Sequence, residues 1–555
     1  MTEDLVKVAQ DSARGSFFLI SGTALATVIL AIGTITVTNL LGPEQYGEYV
    51  LALTIPSLLV LFTDLGINLG ITKFTATLNA KGETRRVKRI IQISLLLKAI
   101  VGTALFLVSY MFADQFAALQ SRPELAFYIR VGSFSILFQA IFATAASAFV
   151  GLDKTEYQAI TTNIQATAKT ALSIALVLAG YGVVGATLGY TTSNLAGAIS
   201  GTALLFLILR RKQGLDKGYQ FRDEIGNLMR YGLPLYISLL FTSFIPPYQN
   251  LILGQFVATA EVGNYKAAAN FGTLLATISI PISTMLLPAF AKLDSSTEGK
   301  IKTFFKLANK YTTALIIPLM ALLIVFSSEI IKIVYGPTFQ TAPMYLALYC
   351  LIYLLLGIGY LTLSCFYNGL GQTATTLRIN VIAFVTILFL SPVATMFYGV
   401  AGLIAAWLTG TTAGNIYSVY VAKKRFKLDF DTGSLIKIYL VSAMSVIPTL
   451  LVFTTIKLYI NPGIASFLTS TSLPTMIKSA PIPEFFNVLV CSIVYLSAYL
   501  TLIAATRAIT EVELQTATHV TERTPILRTV AKPIIAYEQR ILRKRTKARV
   551  SESSI

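Results

Sequence analysis

Few residues in this 555-residue chain are equipped for chemistry. It has one histidine, His519, and three cysteines, Cys350, Cys365 and Cys491, each in an apolar run. A His/Cys metal centre is therefore impossible, and a Ser-His-Asp arrangement would have to borrow a histidine from the C-terminal tail. The cysteines read as small buried hydrophobes, not as a disulfide framework. Asp429-Phe430-Asp431 has the Asp-x-Asp form of metal-dependent glycosyltransferases. It is set aside, because it falls in a short loop beside Lys427 with no soluble domain to hold a nucleotide sugar. What is left is charge and hydrogen-bonding capacity inside apolar sequence. Asp64, Lys98, Lys169 and Lys266 each interrupt such a run. Ionisable groups at membrane depth are costly, so each is a candidate to hold an opposite charge.

Lys266 could hold an anionic group, with Asn270 donating hydrogen bonds below it, or it could snorkel to the headgroups. Lys98 lies near the end of its run, and snorkelling is the expectation there. Lys169 shares a helical face with Thr162, Gln165 and Ser173 and is expected to face a bundle interior. Asp64, with Asn68 one turn on, could bind H⁺ or Na⁺ for coupling, pair with a cation, or bond to a helix end. Arg378 opens its run at the interface and is expected to stay there.

Polar residues form stripes at helical spacing. Thr23, Thr27, Thr34 and Thr38 form one, and Thr54, Ser57, Asp64 and Asn68 a second. Ser238, Thr242 and Gln249 form a third, beside a Pro246-Pro247 pair expected to break its helix. The most regular is Lys266, Asn270, Thr273, Thr277 and Thr284. A single threonine commonly bonds back to its own backbone; stripes on four helices are predicted to wall a cavity. The candidate cargo contacts are Lys266, Asn270, Thr273, Thr277, Lys169, Gln165, Gln249, Thr27 and Thr34. Asp64 and Asn68 are the candidate ion-coupling residues. No catalytic residue, metal or organic cofactor is expected, with H⁺ or Na⁺ coupling left open.

The elements that must position these groups follow from composition. The chain is 55% hydrophobic and 13% charged, with mean hydropathy +0.69, against ~25% charged for a soluble domain. An ordinary soluble enzyme, a disordered chain and a small secreted scaffold are excluded. A crossing helix needs ~20 apolar residues. Fourteen such runs are read at 17–40, 47–70, 92–113, 127–150, 160–180, 183–209, 232–256, 263–290, 312–334, 343–367, 378–398, 400–422, 435–460 and 485–508. They are long and continuous, so the fold class is all-α and polytopic, not a barrel. The first run is read as an uncleaved span.

Lys and Arg alternate by side: 36 fall on the side of the two termini, five on the other and three within runs. This excess places both termini in the cytoplasm, in a plasma-membrane protein. The net charge of +18 is then a topology signal and not a nucleic-acid one. In the tail, Ile534, Ile535, Ile541 and Leu542 share a face, with Arg540, Arg543, Lys544, Arg545 and Lys547 among them. They suggest an amphipathic helix on anionic lipid, or else a solvated basic tail.

The chain also repeats. Gly47-Glu48-Tyr49 returns as Gly263-Asn264-Tyr265, Gly151-Leu152 as Gly369-Leu370, and Tyr181-Gly182-Val183 as Tyr398-Gly399-Val400. The near-constant offset implies two parallel six-helix lobes, 1–212 and 222–426, followed by two extra helices within 434–508 and a basic tail at 509–555. Parallel repeats are one of the transporter architectures.

With these residues in hand, the chain resembles the polysaccharide-exporter branch of the multidrug/oligosaccharidyl-lipid/polysaccharide superfamily. The resemblance covers about 1–510 and rests on Leu41-Gly42-Pro43-Glu44-Gln45-Tyr46-Gly47-Glu48-Tyr49, Asp64-Leu65-Gly66-Ile67, Arg230-Tyr231-Gly232-Leu233-Pro234 and Glu261-Val262-Gly263-Asn264-Tyr265. It implies a MATE-like V of two lobes and translocation of a polyprenyl-(pyro)phosphate-linked oligosaccharide to the outer leaflet. Related lipid II flippases use cavity arginines for the pyrophosphate. This chain has none within its lobe runs away from the membrane edges, so Lys169 or Lys266 would have to serve. The expected function is an alternating-access flippase, a monomer with no nucleic-acid partner. The alternatives are a cation-coupled multidrug antiporter of the same superfamily, a membrane glycosyltransferase or ligase, and a scaffold without transport. The antiporter would carry acidic, aromatic cavity residues. The enzyme would need an outer domain, whereas the longest outer connection, 461–484, has one acid, Glu484.

Overall fold

A computed structural model describes residues 3–210, 221–292, 298–462 and 481–509, together with Tyr537. The amphipathic stretch expected in the tail lies outside these residues. All regular structure among the described residues is helical. Packing divides the chain into two units, Met1–Ala267 with Phe384–Trp407, and Ala268–Ala383 with Leu408–Ile555.

The first unit holds α1 (Glu3–Ala52), α2 (Thr54–Leu61), α3 (Ile67–Ala80), α4 (Thr84–Met111), α5 (Ala113–Leu119), α6 (Ala126–Gly151), α7 (Thr155–Leu176), α8 (Gly182–Arg210), α9 (Phe221–Phe256) and the start of α10 (Thr259–Lys292). The second holds the rest of α10, then α11 (Glu298–Val325), α12 (Ser327–Tyr335), α13 (Ala342–Cys350), α14 (Thr362–Gly369), most of α15 (Thr373–Phe426), α16 (Thr432–Thr455) and α17 (Ile482–Ala505).

Nine of the described helices are long and apolar enough to cross a membrane, or ten if the pair Ala342–Ile358 and Thr362–Gly369, bent by 52°, is one span. Three run to 41, 56 and 54 residues, far beyond the ~20 a bilayer requires. Each of these three contains a glycine at positive φ: Gly42 at 68°, Gly180 at 91° and Gly399 at 57°. A residue without Cβ adopts this conformation at little cost, so the chain turns there without leaving helical hydrogen bonding for long. Large apolar side chains such as Leu25, Val28 and Ile32 stay exposed along α1, as expected where lipid replaces water as solvent.

The structure corrects four expectations. The run 47–70 is not one helix. It breaks at residues 62–66, where Leu65 and Gly66 both take positive φ. The run 312–334 is displaced: its spanning helix is α11, which starts at Glu298, and Phe326 separates it from the short α12. The run 343–367 breaks at Gly359, with φ 87°. Pro246-Pro247, by contrast, does not break α9, which continues through both. Prolines are tolerated in membrane helices when neighbours satisfy the freed carbonyls.

The core of the first unit lies toward its basic end, the end carrying the Lys/Arg-rich loops. Ile71, Leu78, Val87, Ile90, Phe149, Leu205 and Leu228 pack there, joining α3, α4, α6, α8 and α9. In the second unit Phe290, Phe305, Phe366 and Tyr367 form an edge-to-face aromatic core, a geometry favoured by the ring quadrupole.

Candidate functional site

The break between α2 and α3 creates the first polar site of the first unit. Asp64 sits in the break. Its Oδ1 accepts from the backbone N–H of Asn68 at 3.0 Å, in the first turn of α3, where a negative charge is favoured by the helix dipole. The same Oδ1 accepts from Lys98 Nζ at 2.9 Å. Lys98 does not snorkel: its side chain is 1% exposed, and that of Asp64 27%. A long side chain reaches for headgroups only when no nearer anion is offered, and the break offers one. Tyr236 Oη donates to Leu61 O at 2.6 Å, a shorter second bond to a carbonyl at the end of α2 that also accepts from the Asp64 N–H at 3.3 Å. Asn68 Oδ1 is buried and has no partner among the described residues.

Backbone contact holds this break against α9. A Cβ on Gly66 would lie 2.2 Å from the carbonyl carbon of Gly232, and one on Gly232 would lie 2.0 Å from Gly66 O. Only glycine fits either position. These are the glycines of the Asp64-Leu65-Gly66 and Arg230-Tyr231-Gly232 motifs.

The second site is built on α6, α7 and α8. Lys169 Nζ sits 5.2 Å from the centre of the Tyr190 ring, within cation–π range. Tyr190 Oη donates to Gln139 Oε1 at 3.3 Å, and Gln165 Nε2 donates to Asn194 Oδ1 at 3.4 Å. Asn194 is 2% exposed, and its Nδ2 donates to Tyr190 O at 3.0 Å, which fixes its carbonyl oxygen toward Gln165. Gln165 and Lys169, one turn apart, thus join a cluster whose other members, Tyr190, Gln139 and Asn194, were missed in the sequence. Tyr190 and Asn194 do share the i, i+4 spacing that could have flagged them. Among the described residues neither Lys169 nor Lys266 pairs with a carboxylate.

Lys266 is half-buried on α10, one turn from Gly263. A Cβ on Gly263 would lie 1.8 Å from Pro43 O, and one on Gly47 would lie 2.0 Å from Thr259 O. The two repeated Gly positions therefore meet each other's helix junction. Arg122 clasps the same end of the unit, donating to Val257 O at 2.6 Å and to Thr259 Oγ1. Gln255 Nε2 adds a bond to Leu119 O at 3.0 Å.

The remaining candidates are dispersed. Asn270 Nδ2 donates to Tyr335 Oη at 3.4 Å in the second unit, and Thr273 and Thr277 follow on the same helix. Gln249 on α9 is 7% exposed, with Nε2 unpartnered among the described residues. Thr27 is exposed and bonds back to Thr23 O at 2.8 Å; Thr34 is half-buried. Asp429 and Asp431 are tied to α11 through Lys306 and Lys310, each at 3.9 Å. Asp431 also caps α16, accepting from the Ser434 N–H at 3.1 Å. Burial works to raise its pKa, but the Ser434 cap and the two lysines outweigh it and hold the carboxyl below its usual range.

By fold the chain is a polytopic helical membrane protein with broken helices and lysines within its apolar helices. The structure superposes on the lipid II flippase MurJ in an inward closed conformation with a TM-score of 0.66, at 15% identity, covering 87% of this chain and 98% of that one. It also superposes on an inward-facing multidrug resistance MATE family transporter of the MOP superfamily with a TM-score of 0.58, at 18% identity, covering 73% of this chain and 94% of that one. The family described as "Polysaccharide biosynthesis protein" matches residues 12–294, and that described as "Lipid II flippase MurJ" matches 164–478. The chain belongs to the polysaccharide-flippase branch of the multidrug/oligosaccharidyl-lipid/polysaccharide superfamily. Stage V sporulation protein B of Bacillus subtilis is 21% identical over 350 residues, 59% of this chain and 67% of that protein.

Proposed function

We propose that this protein moves the phosphate-linked oligosaccharide headgroup of a lipid carrier from the inner to the outer leaflet by alternating access, as a transporter and not an enzyme. The observation that carries the reading is the Lys169 cluster. It presents a cation, a tyrosine and three side-chain amides in the interior of the first repeat, with no described carboxylate to neutralise the lysine. Such a set suits an anion bearing hydroxyls: the ammonium attracts phosphate, and the amides and Tyr190 replace sugar-bound water. Crossing hydrocarbon without that replacement would carry a prohibitive desolvation cost. Membership of the polysaccharide-flippase branch supports the same cargo class.

In this reading each of the three long helices makes two crossings, and the bent pair Ala342–Ile358 and Thr362–Gly369 and α10 make one each. The chain then crosses fourteen times, with both termini and the basic end of the bundle in the cytoplasm of a plasma-membrane protein. Lys266 supplies a second cation near the far end. Asn270, Thr273, Thr277, Gln249, Thr27 and Thr34 supply the milder polar wall. Asp64 and Asn68 are the site at which a coupling cation would compete with Lys98.

The test is depletion in the native cell followed by a leaflet-resolved assay of lipid-linked glycans. Accumulation in the inner leaflet is expected. Unchanged sidedness together with drug hypersensitivity would replace this reading with the antiporter. Lys169→Ala is expected to slow transport about 10–100-fold at normal expression, since a hydrogen bond to a charged group is worth ~1.5–3 kcal/mol.

A further inference from the structure

The basic end of the first unit contains a buried carboxylate that the cavity does not use. Glu224, in the first turn of α9, has a side chain only 3% exposed. Its Oε1 lies 2.6 Å from Arg86 Nε, in the first turn of α4. Arg86 Nη1 also reaches Glu83 Oε2 at 3.4 Å, and the arginine side chain is 22% exposed. The pair is thus asymmetric: the acid is sealed in, and the cation can be reached from outside. Around it the segment 81–89 carries Lys81, Arg85, Lys88 and Arg89.

The same pair closes a seam. Above it Leu228 is packed into the core beside Val87 and Ile90. Lys73 Nζ lies 3.6 Å above the Tyr231 ring, and beyond that the Gly66 and Gly232 backbones touch. These contacts hold α3 and the start of α4 against α9. Apart from the Lys73 ammonium, which rests on a neutral ring, the seam is apolar and backbone packing. Arg86–Glu224 is the described ion pair in it, the contact where an incoming anion would displace a carboxylate.

We infer that Arg86 is the receiving site for the cargo's phosphate, and that capture of the phosphate releases Glu224 and unlatches α9. The inference rests on the flippase reading. A pyrophosphate presents more charge and more acceptor oxygens than a carboxylate, and the guanidinium fork binds it through two parallel bonds. Arg86 stands at the end of α4, at headgroup depth in the proposed orientation, so a lipid-borne phosphate meets it before any cavity residue. Once Arg86 turns to the phosphate, Glu224 is a buried carboxylate without its cation. That state is strongly disfavoured, and it is relieved when the end of α9 lifts and Glu224 reaches water. In the absence of cargo the pair re-forms and the seam shuts.

The experiment uses the full chain in lipid nanodiscs, with spin labels at Lys81→Cys and Gly226→Cys; Lys81 is exposed, and a Cβ at Gly226 meets nothing within 4 Å. The probes are a short-chain prenyl pyrophosphate, its parent alcohol and inorganic pyrophosphate. The prenyl pyrophosphate is expected to lengthen the label distance, and the other two to leave it unchanged. Glu224→Gln is expected to lengthen it without lipid and to tighten prenyl pyrophosphate binding about tenfold, because the competitor for Arg86 is gone. Arg86→Ala is expected to lengthen it and to weaken binding by a similar factor. A merely structural clasp would instead make both variants loosen the seam with no opposite effect on affinity, and that result overturns the proposal. Opening by inorganic pyrophosphate alone overturns the lipid assignment. If the prenyl pyrophosphate binds in a Lys169-dependent way yet leaves the seam shut, this inference fails while the flippase reading stands. If it binds nowhere, both fail.

Discussion

The intramembrane pair of Asp64 and Lys98 offers a quantitative test. Replacing Lys98 by Met keeps most of the side-chain volume and removes the charge. Breaking a fully buried pair by deleting one partner costs ~3–5 kcal/mol. Asp64 is 27% exposed and keeps the Asn68 N–H, so the discounted expectation for Lys98→Met is ~2–3 kcal/mol. Asp64→Asn leaves the almost fully buried Lys98 ammonium without its anion and is expected to cost at least as much. The double variant Asp64→Asn/Lys98→Met removes both charges and is expected to recover more than ~1 kcal/mol relative to additivity. SDS-titration unfolding of the four proteins in mild detergent measures each free energy. Additive losses would refute the claim that the two side chains stabilise one another. The same proteins separate the two roles open to Asp64. If the double variant is stable and transports at the wild-type rate, the pair is structural. If it is stable but no longer responds to an imposed cation gradient, Asp64 is the coupling group.

Gly232→Ala should fold poorly or transport slowly, because its Cβ would meet Gly66 O at 2.0 Å; expression and thermal stability beside a Gly226→Ala control check this. Tyr190→Phe keeps the ring under Lys169 but loses the bond to Gln139, so a modest two- to tenfold fall in transport is expected, against a larger fall for Tyr190→Ala. For Asp431→Asn, the pKa of Asp431 is lower folded than unfolded. Its charge therefore stabilises the fold above the ordinary carboxylate range, and the contribution is lost as the pH falls through the lowered pKa. Asn can keep the cap, so the wild-type advantage should be ~0.5–1 kcal/mol at neutral pH and should vanish on acidification. A gap that persists at low pH would mean that the cap geometry, not the charge, holds α16.

The sequence alone determined the solvent. A chain 55% hydrophobic and 13% charged has to meet lipid, and lipid permits only internally hydrogen-bonded helices or closed barrels. Run length then decided for helices. The repeat and the junction motifs were legible for a related reason: Gly47, Gly66, Gly232 and Gly263 are positions where backbones meet, and no side chain can stand in for an absent one. The sequence also marked Asp64, Lys98, Lys169 and Lys266 as costly, since their price depends only on depth in the bilayer. What it could not decide was who neutralises whom. Lys98 and Asp64 are 34 residues apart, Arg86 and Glu224 138, and hydropathy carries no information about pairs. Nor could it place the breaks at 62–66 or at Gly359, because a broken apolar run and a continuous one have the same composition. Those choices belong to packing: a helix breaks where a neighbour such as Tyr236 or Lys98 satisfies the groups the break exposes, and only the folded bundle supplies that neighbour.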